Sequence, residues 1–278
     1  MQNIRRFVPR HSRTVAVAIA LTVLLVMVAV VAAVQFGELD GDDHPHVGLL
    51  VFDVDGSPAW RCSGTLLSPT VMVTAGHCTF GTSGGRVWFE PDVESGIPDN
   101  GYPFGGGTSI EFKAIYTHPQ YDDNAFYLHD VGVVILRKPV KNLENYGTLA
   151  EIGLLDELAT RRGQQDRSFT VVGYGLQSVV PTLQQDRVRY QGTVQLVDVN
   201  GTAGIPGGTS ASFTNNPGEG NGEGGTCFGD SGGPIFHGDS NVIAAITSYG
   251  LNANCAGTGG GYRVDTVDDQ AFINGFLD

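Results

Sequence analysis

Three short stretches carry residue types able to make and break an acyl bond. In "GTCFGDSGGPIF", residues 225 to 236, Ser231 stands in a Gly-rich turn beside Asp230. "TLLSPTVMVTAGHCTF" places His77 just past an apolar run, and "FYLHDVGVVILR" places Asp130 directly before another. A serine hydroxyl is a poor nucleophile until a base takes its proton during attack, and an imidazole titrating near neutrality suits that task. The imidazole in turn needs one tautomer held and its cationic form stabilised, which a buried carboxylate on its other nitrogen provides. These types point to hydrolytic acyl transfer, with Ser231 as nucleophile, His77 as base and Asp130 orienting the base.

"GDSGG" also fits the G-x-S-x-G elbow of the α/β-hydrolases, but there the acid and the histidine follow the serine. Here the one histidine downstream is His237, six residues on and expected on the same strand or its turn. A lone histidine at a strand end is ordinarily structural, and His118 and His129 lie outside the "TAGHC" context, so neither is expected to be catalytic. Asp122 and Asp123 are the nearby competitors of Asp130.

The chain order of "TAGHC", an aspartate before an apolar strand, and "GDSGGP" resembles the chymotrypsin-like (trypsin superfamily) serine proteases over residues 44 to 278. The resemblance implies an oxyanion hole from the backbone N–H groups of Gly229 and Ser231, each donor worth on the order of 3 kcal/mol. It implies disulfides Cys62–Cys78 and Cys227–Cys255. It also implies a specificity pocket floored by Gly225, with Thr226, Gly250 and Gly260 ("GGGY") on its walls and "SYG", Ser248, Tyr249 and Gly250, pairing with the substrate backbone. With no carboxylate at Gly225 the pocket is expected to be open and uncharged, selecting an apolar or aromatic residue rather than Lys or Arg.

One element of the family pattern is missing. The usual Ile-Val-Gly-Gly start supplies an amino group to the aspartate before the serine, here Asp230, whereas this chain reads "FGELDGDDHPHVGLLVF". Asp230 needs another partner or solvent, since an unpaired buried carboxylate is costly. A catalytically silent extracellular binding module, or an esterase using the same three side chains, are the alternatives to an endopeptidase.

The elements that must hold these residues are strands: "HVGLLVFDV", "TVMVTA", "DVGVVILR", "SFTVVGYG", "RVRYQGTVQLV" and "NVIAAITSYG" are apolar or alternating and β-branched. Asp55-Gly56 reads as a hairpin turn. Many short strands without long helices between them mean an antiparallel all-β fold. The resemblance makes that two packed six-stranded barrels, at about 44–147 and 164–265. Helices are expected in "TLAEIGLLDELATRR" and over 266–278, where Thr266 caps and Asp268 and Asp269 suit the first turn. Residues 201 to 225, rich in Gly, Ser and Asn, read as a long surface loop.

Ahead of the protease domain (37–278), residues 1–36 carry four arginines and an apolar run from Val15 to Val34. Its length suits a membrane anchor, and "VAA" at 31 to 33 suits signal cleavage. Both readings place the remainder outside the membrane, secreted or tethered through residues 15–34. Beyond the leader 12 basic groups face 29 acids, a formal charge of −17, which disfavours nucleic acid as a partner. Four cysteines without a Cys-x-x-Cys fit disulfides in an oxidising compartment better than zinc. "DGDD" at 40 to 43 and "DVDG" at 53 to 56 lack a calcium-loop ligand series and read as a solvated linker and a turn. Asn200-Gly201-Thr202 is a glycosylation sequon. The chemistry requires no metal or organic cofactor, a protein or peptide is the expected substrate, and a monomer is the expected state.

Overall fold

The computed structural model describes residues 34–160, 167–201, 204–215 and 224–277. The leader therefore lies outside the described residues up to residue 33, and among the described residues no helix is long and apolar enough to cross a membrane.

Six strands close the first barrel in the order β2-β3-β4-β7-β6-β5: β2 (Val47–Val54), β3 (Ser57–Leu66), β4 (Val71–Thr74), β5 (Gly84–Trp88), β6 (Ile110–Thr117) and β7 (Gly132–Leu136). Asp55 and Gly56 both take positive φ (51° and 77°), the left-handed pair that a tight hairpin between β2 and β3 requires. Inward residues such as Leu50, Phe52, Leu66, Met72, Val87 and Val134 fill the barrel.

The second barrel runs β9-β10-β11-β14-β13-β12 and closes through β12 on β9. Its strands are β9 (Ser168–Gly173), β10 (Tyr190–Asp198), β11 (Ser210–Thr214), β12 (Pro234–His237), β13 (Val242–Gly250) and β14 (Thr258–Arg263). A two-residue β1 (Glu38–Leu39) adds to β10, and β8 (Thr148–Leu149) pairs parallel with β13. Phe169, Val171, Val194, Phe213 and Ile235 fill this barrel. Phe236, Ile246 and Tyr262 belong instead to the cluster of the first barrel, so apolar packing is continuous across the seam.

Among the described residues α-helix is confined to three short pieces, α1 (Gly76–Thr79), α2 (Leu154–Thr160) and α3 (Val267–Asn274). The helix expected from Thr148 starts later, because Thr148 and Leu149 are drawn into the sheet edge and Gly153 takes φ 83°. Asp265 Oδ2 then accepts from the Leu155 N–H at 2.8 Å at the delayed start. In α3, Thr266 caps as expected, its hydroxyl accepting from the Asp269 N–H. The expected surface loop 201 to 225 contains a buried strand, β11, whose small side chains and Phe213 fit between β10 and β14.

The segment "DGDD" is exposed at Gly41, Asp42 and Asp43, as expected of a linker, but not at its first residue. Asp40 is buried, with its carboxylate 2.6 Å from Arg189 Nε and 2.5 Å from His44 Nδ1. Arg189, itself fully buried, also donates to the carbonyls of Gly41, Val47 and Phe89 and to the Tyr174 hydroxyl. One guanidinium thus ties the chain entering the first barrel to the start of β10. Burial alone would raise the Asp40 carboxyl, but the His44 hydrogen bond and the Arg189 charge hold it below the usual carboxylate range. Arg189→Ala leaves that carboxylate buried without its cation and is expected to lower unfolding stability by about 3–5 kcal/mol, read from urea denaturation. Because Asp40 titrates below its unfolded value, its contribution is present at neutral pH and lost on acidification, so the deficit of the variant narrows in acid.

Candidate active site

His77 sits in the single turn α1, reached directly from β4 through Ala75. Its backbone N–H donates to Asp130 Oδ1 at 2.7 Å, and its Nδ1 lies 2.9 Å from Oδ2 and 3.1 Å from Oδ1. Asp130, fully buried, precedes β7, which pairs with β4, so adjacent strand ends deliver the two groups to one place. A third donor comes from the other barrel: Ser248 Oγ donates to Asp130 Oδ2 at 2.5 Å. Ser248 stands where the β13–β14 register shifts between Thr247 and Tyr249, an irregularity of the kind that re-aims a side chain. An ionised carboxylate only accepts, so the His77 proton belongs on Nδ1 and Nε2 keeps its lone pair. Burial would lower the imidazole, but the Asp130 charge and hydrogen bond, with help from Asp123, raise it above its ordinary value.

Ser231 lies in the tight turn that leads into β12. Its carbonyl accepts from the Ser63 N–H at 2.8 Å and lies beside Cys78, the residue after His77. The N–H groups of Cys227, Asp230, Gly232 and Gly233 are all bonded within the protein. Those of Gly229 and Ser231 make no hydrogen bond among the described residues. Gly229 takes φ 99° and Gly232 φ 79°, and a Cβ on Gly232 would strike the Thr74 hydroxyl, so both positions demand glycine. Between them Asp230 is buried, and its carboxylate accepts from the N–H of Gly175 at 2.7 Å and of Cys227 at 2.8 Å. Burial pushes it up to about 7 against those two donors and the more distant charge of Arg61. The partner that the sequence left open is thus backbone; no cation bonds Asp230 among the described residues.

His77 and Ser231 wall one cavity of about 470 Å³, together with Thr226, Ser248, Tyr249 and Gly250. No hydrogen bond joins the Ser231 hydroxyl to the imidazole among the described residues; such contacts are often long before substrate tightens them. Apart from His77 and the Tyr249 phenol no titrating side chain lines the cavity, and no carboxylate does. Gly225 and Gly260, expected at its floor and wall, are buried outside the lining. The Tyr249 ring lies across Gly260, its cross-strand neighbour, and Gly225 abuts Asn215, whose amide is consumed by Thr226 and Cys255. Gly260 is thus covered by the Tyr249 ring, because a glycine opposite an aromatic residue gives the ring a place to lie.

Both disulfides are formed as the resemblance implied, Cys62–Cys78 linking β3 to α1 and Cys227–Cys255 bracketing the serine turn. His118 and His129 stack on each other, ring centroids 4.7 Å apart, each with a nitrogen 3.5 Å from Asp268 Oδ2. The Gln120 N–H donates to His118 Nδ1, which puts the His118 proton on Nε2 facing Asp268, a donor's arrangement rather than a metal ligand's. Sequence reading missed the bond from Ser248 to Asp130, for which a separation of 118 residues leaves no local signal.

The Trypsin family model matches residues 41–269. The chain belongs to the trypsin family of serine proteases. Among its relatives is a trypsin of Saccharopolyspora erythraea, 29% identical over 234 residues that cover 79% of this chain and 87% of the relative. Serine protease 1 of Drosophila melanogaster is 27% identical over 213 residues, 76% of this chain and 72% of that protein. The solved structure of HL collagenase superposes with TM-score 0.66 at 19% identity, covering 88% of this chain and 98% of that one. Membership of this family makes the protein a hydrolase, a serine endopeptidase whose substrates are proteins.

Proposed function

We propose that this trypsin-family enzyme cleaves peptide bonds through an acyl-enzyme on Ser231, with His77 as general base and Asp130 as its orienting carboxylate. The observation that carries the reading is the His77–Asp130 pair, closed by Ser248, opening on the cavity that Ser231 shares. As Ser231 Oγ attacks the scissile carbonyl carbon, its proton passes to His77 Nε2, and the imidazolium is stabilised by Asp130. The negative charge on the former carbonyl oxygen meets the unbonded N–H groups of Gly229 and Ser231. The His77 proton then goes to the departing amine, and water repeats the sequence on the ester, restoring the serine. None of these steps draws on a metal or organic cofactor. A silent binding module has no chemical use for a buried carboxylate holding a half-exposed imidazole, and an esterase would use the same route on an easier bond.

The cavity, free of carboxylates and lined by Phe228, Tyr249 and Leu251, favours an apolar or aromatic residue before the cut bond. Disulfides and leader fit action outside the cell, as a monomer released or held by residues 15–34, and the acidic surface disfavours nucleic acid.

A fluorophosphonate probe is expected to label the wild type and not Ser231→Ala, whose peptidase rate falls on the order of 10⁶-fold; equal labelling of both would refute the assignment. Only neutral imidazole accepts the proton, so kcat/KM rises with pH through the His77 titration. Since that titration is raised, the midpoint lies above the ordinary histidine value of about 6.5. A flat profile from mildly acid to neutral pH would contradict the base. On a peptide panel varied at the residue before the cut, cleavage is expected to be fastest after apolar and aromatic residues; fastest cleavage after Arg would overturn the specificity.

A further inference from the structure

A second cavity, of about 390 Å³, shares Phe228 with the first and is lined also by Gly229, Trp60, Arg61, Tyr102 and Arg187. Beyond the leader this chain has 12 basic side chains against 29 acids, yet two guanidiniums meet here. Arg187 is engaged, 2.9 Å from Glu94 and over the Tyr102 ring. Arg61 is not: its hydrogen-bond partner is the carbonyl of Gln185 at 3.4 Å, and no carboxylate lies within ion-pair distance among the described residues. Its Nε comes within 3.2 Å of where a Gly229 Cβ would be, so the charge stands beside the turn that holds Ser231. Arg61 is also held in place, since it precedes Cys62, whose disulfide partner Cys78 follows His77.

Phe228 lines both cavities, and Gly229, the next residue, lines the second. If the residue before the cut bond fills the first, with the scissile carbonyl over Ser231, the chain after the bond leaves past Gly229 into the second. We propose that Arg61, with Arg187 beside it, selects substrates bearing a carboxylate within the first three residues after the cut. This rests on Ser231 being the nucleophile. A guanidinium matches a carboxylate with two parallel N–H donors, and Asp230, on which the Arg61 charge acts, lies beyond ion-pair distance. The site is half-exposed, so the gain is modest, about three- to tenfold in kcat/KM. The contact is made in ground and transition states alike, so it acts mainly on KM, and it weakens as salt screens the pair.

The test uses quenched peptides identical up to the cut bond, carrying a single Glu, Gln or Lys at the first, second or third position after it. Wild-type enzyme is expected to favour Glu over Gln by about three- to tenfold at one of these positions, to disfavour Lys there, and to lose the preference in high salt. In Arg61→Gln the Glu-to-Gln ratio falls towards one, whereas Arg61→Lys, which keeps the charge, retains part of it and controls for folding. Equal rates for Glu and Gln at all three positions, or a preference that survives in Arg61→Gln, would overturn the proposal. Cleavage that persists in Ser231→Ala sinks the nucleophile and this inference together. Cleavage that depends on Ser231 but ignores charge sinks this inference alone.

Discussion

A carboxylate cannot be buried without donors, and the arrangement of the candidate site follows from how Asp130 obtains them. Two come from His77, through its backbone N–H and Nδ1, and a third from Ser248. The first pair requires β4 and β7 to lie side by side in one barrel, and the third requires β13 of the other barrel to reach across the seam. A single buried charge therefore fixes the orientation of the imidazole and couples the two barrels at that point. The same contact raises the titration of His77 against the opposing effect of burial.

The serine turn solves a different problem, that of leaving two backbone donors unsatisfied beside the Ser231 hydroxyl. Cys227, Asp230, Gly232 and Gly233 bond inward, and positive φ at Gly229 and Gly232 forms the turn in which the N–H groups of Gly229 and Ser231 stay unbonded. Asp230 braces the turn from beneath through Gly175 and Cys227. Bracing with a carboxylate that has only backbone partners has a cost. Its titration moves up to about 7, so the stability the folded state gains from the protonated group is lost as pH rises through that value.

Much of this was legible in the sequence because it is local. Strand alternation, the Asp55-Gly56 turn and the Thr266 cap are set by neighbouring residues, and the motifs around His77 and Ser231 are contiguous. What escaped depends on partners far along the chain. Asp40 looks solvated until Arg189, 149 residues later, is brought against it. Glycines at 225 and 260 promise an open slot until cross-strand pairing lays Tyr249 over Gly260 and the backbone of Asn215 packs against Gly225. A run rich in small polar residues resembles a loop, but β11 forms within it because the strands on either side supply its hydrogen bonds and its side chains are buried.

The direct measure of the central contact is the titration of His77 by NMR of histidine-labelled enzyme, compared between the wild type and Asp130→Asn. The account predicts a wild-type pKa above the ordinary imidazole value, falling in the variant, where only the weaker effect of Asp123 opposes burial. A His77 titration that does not move when Asp130 loses its charge would contradict it.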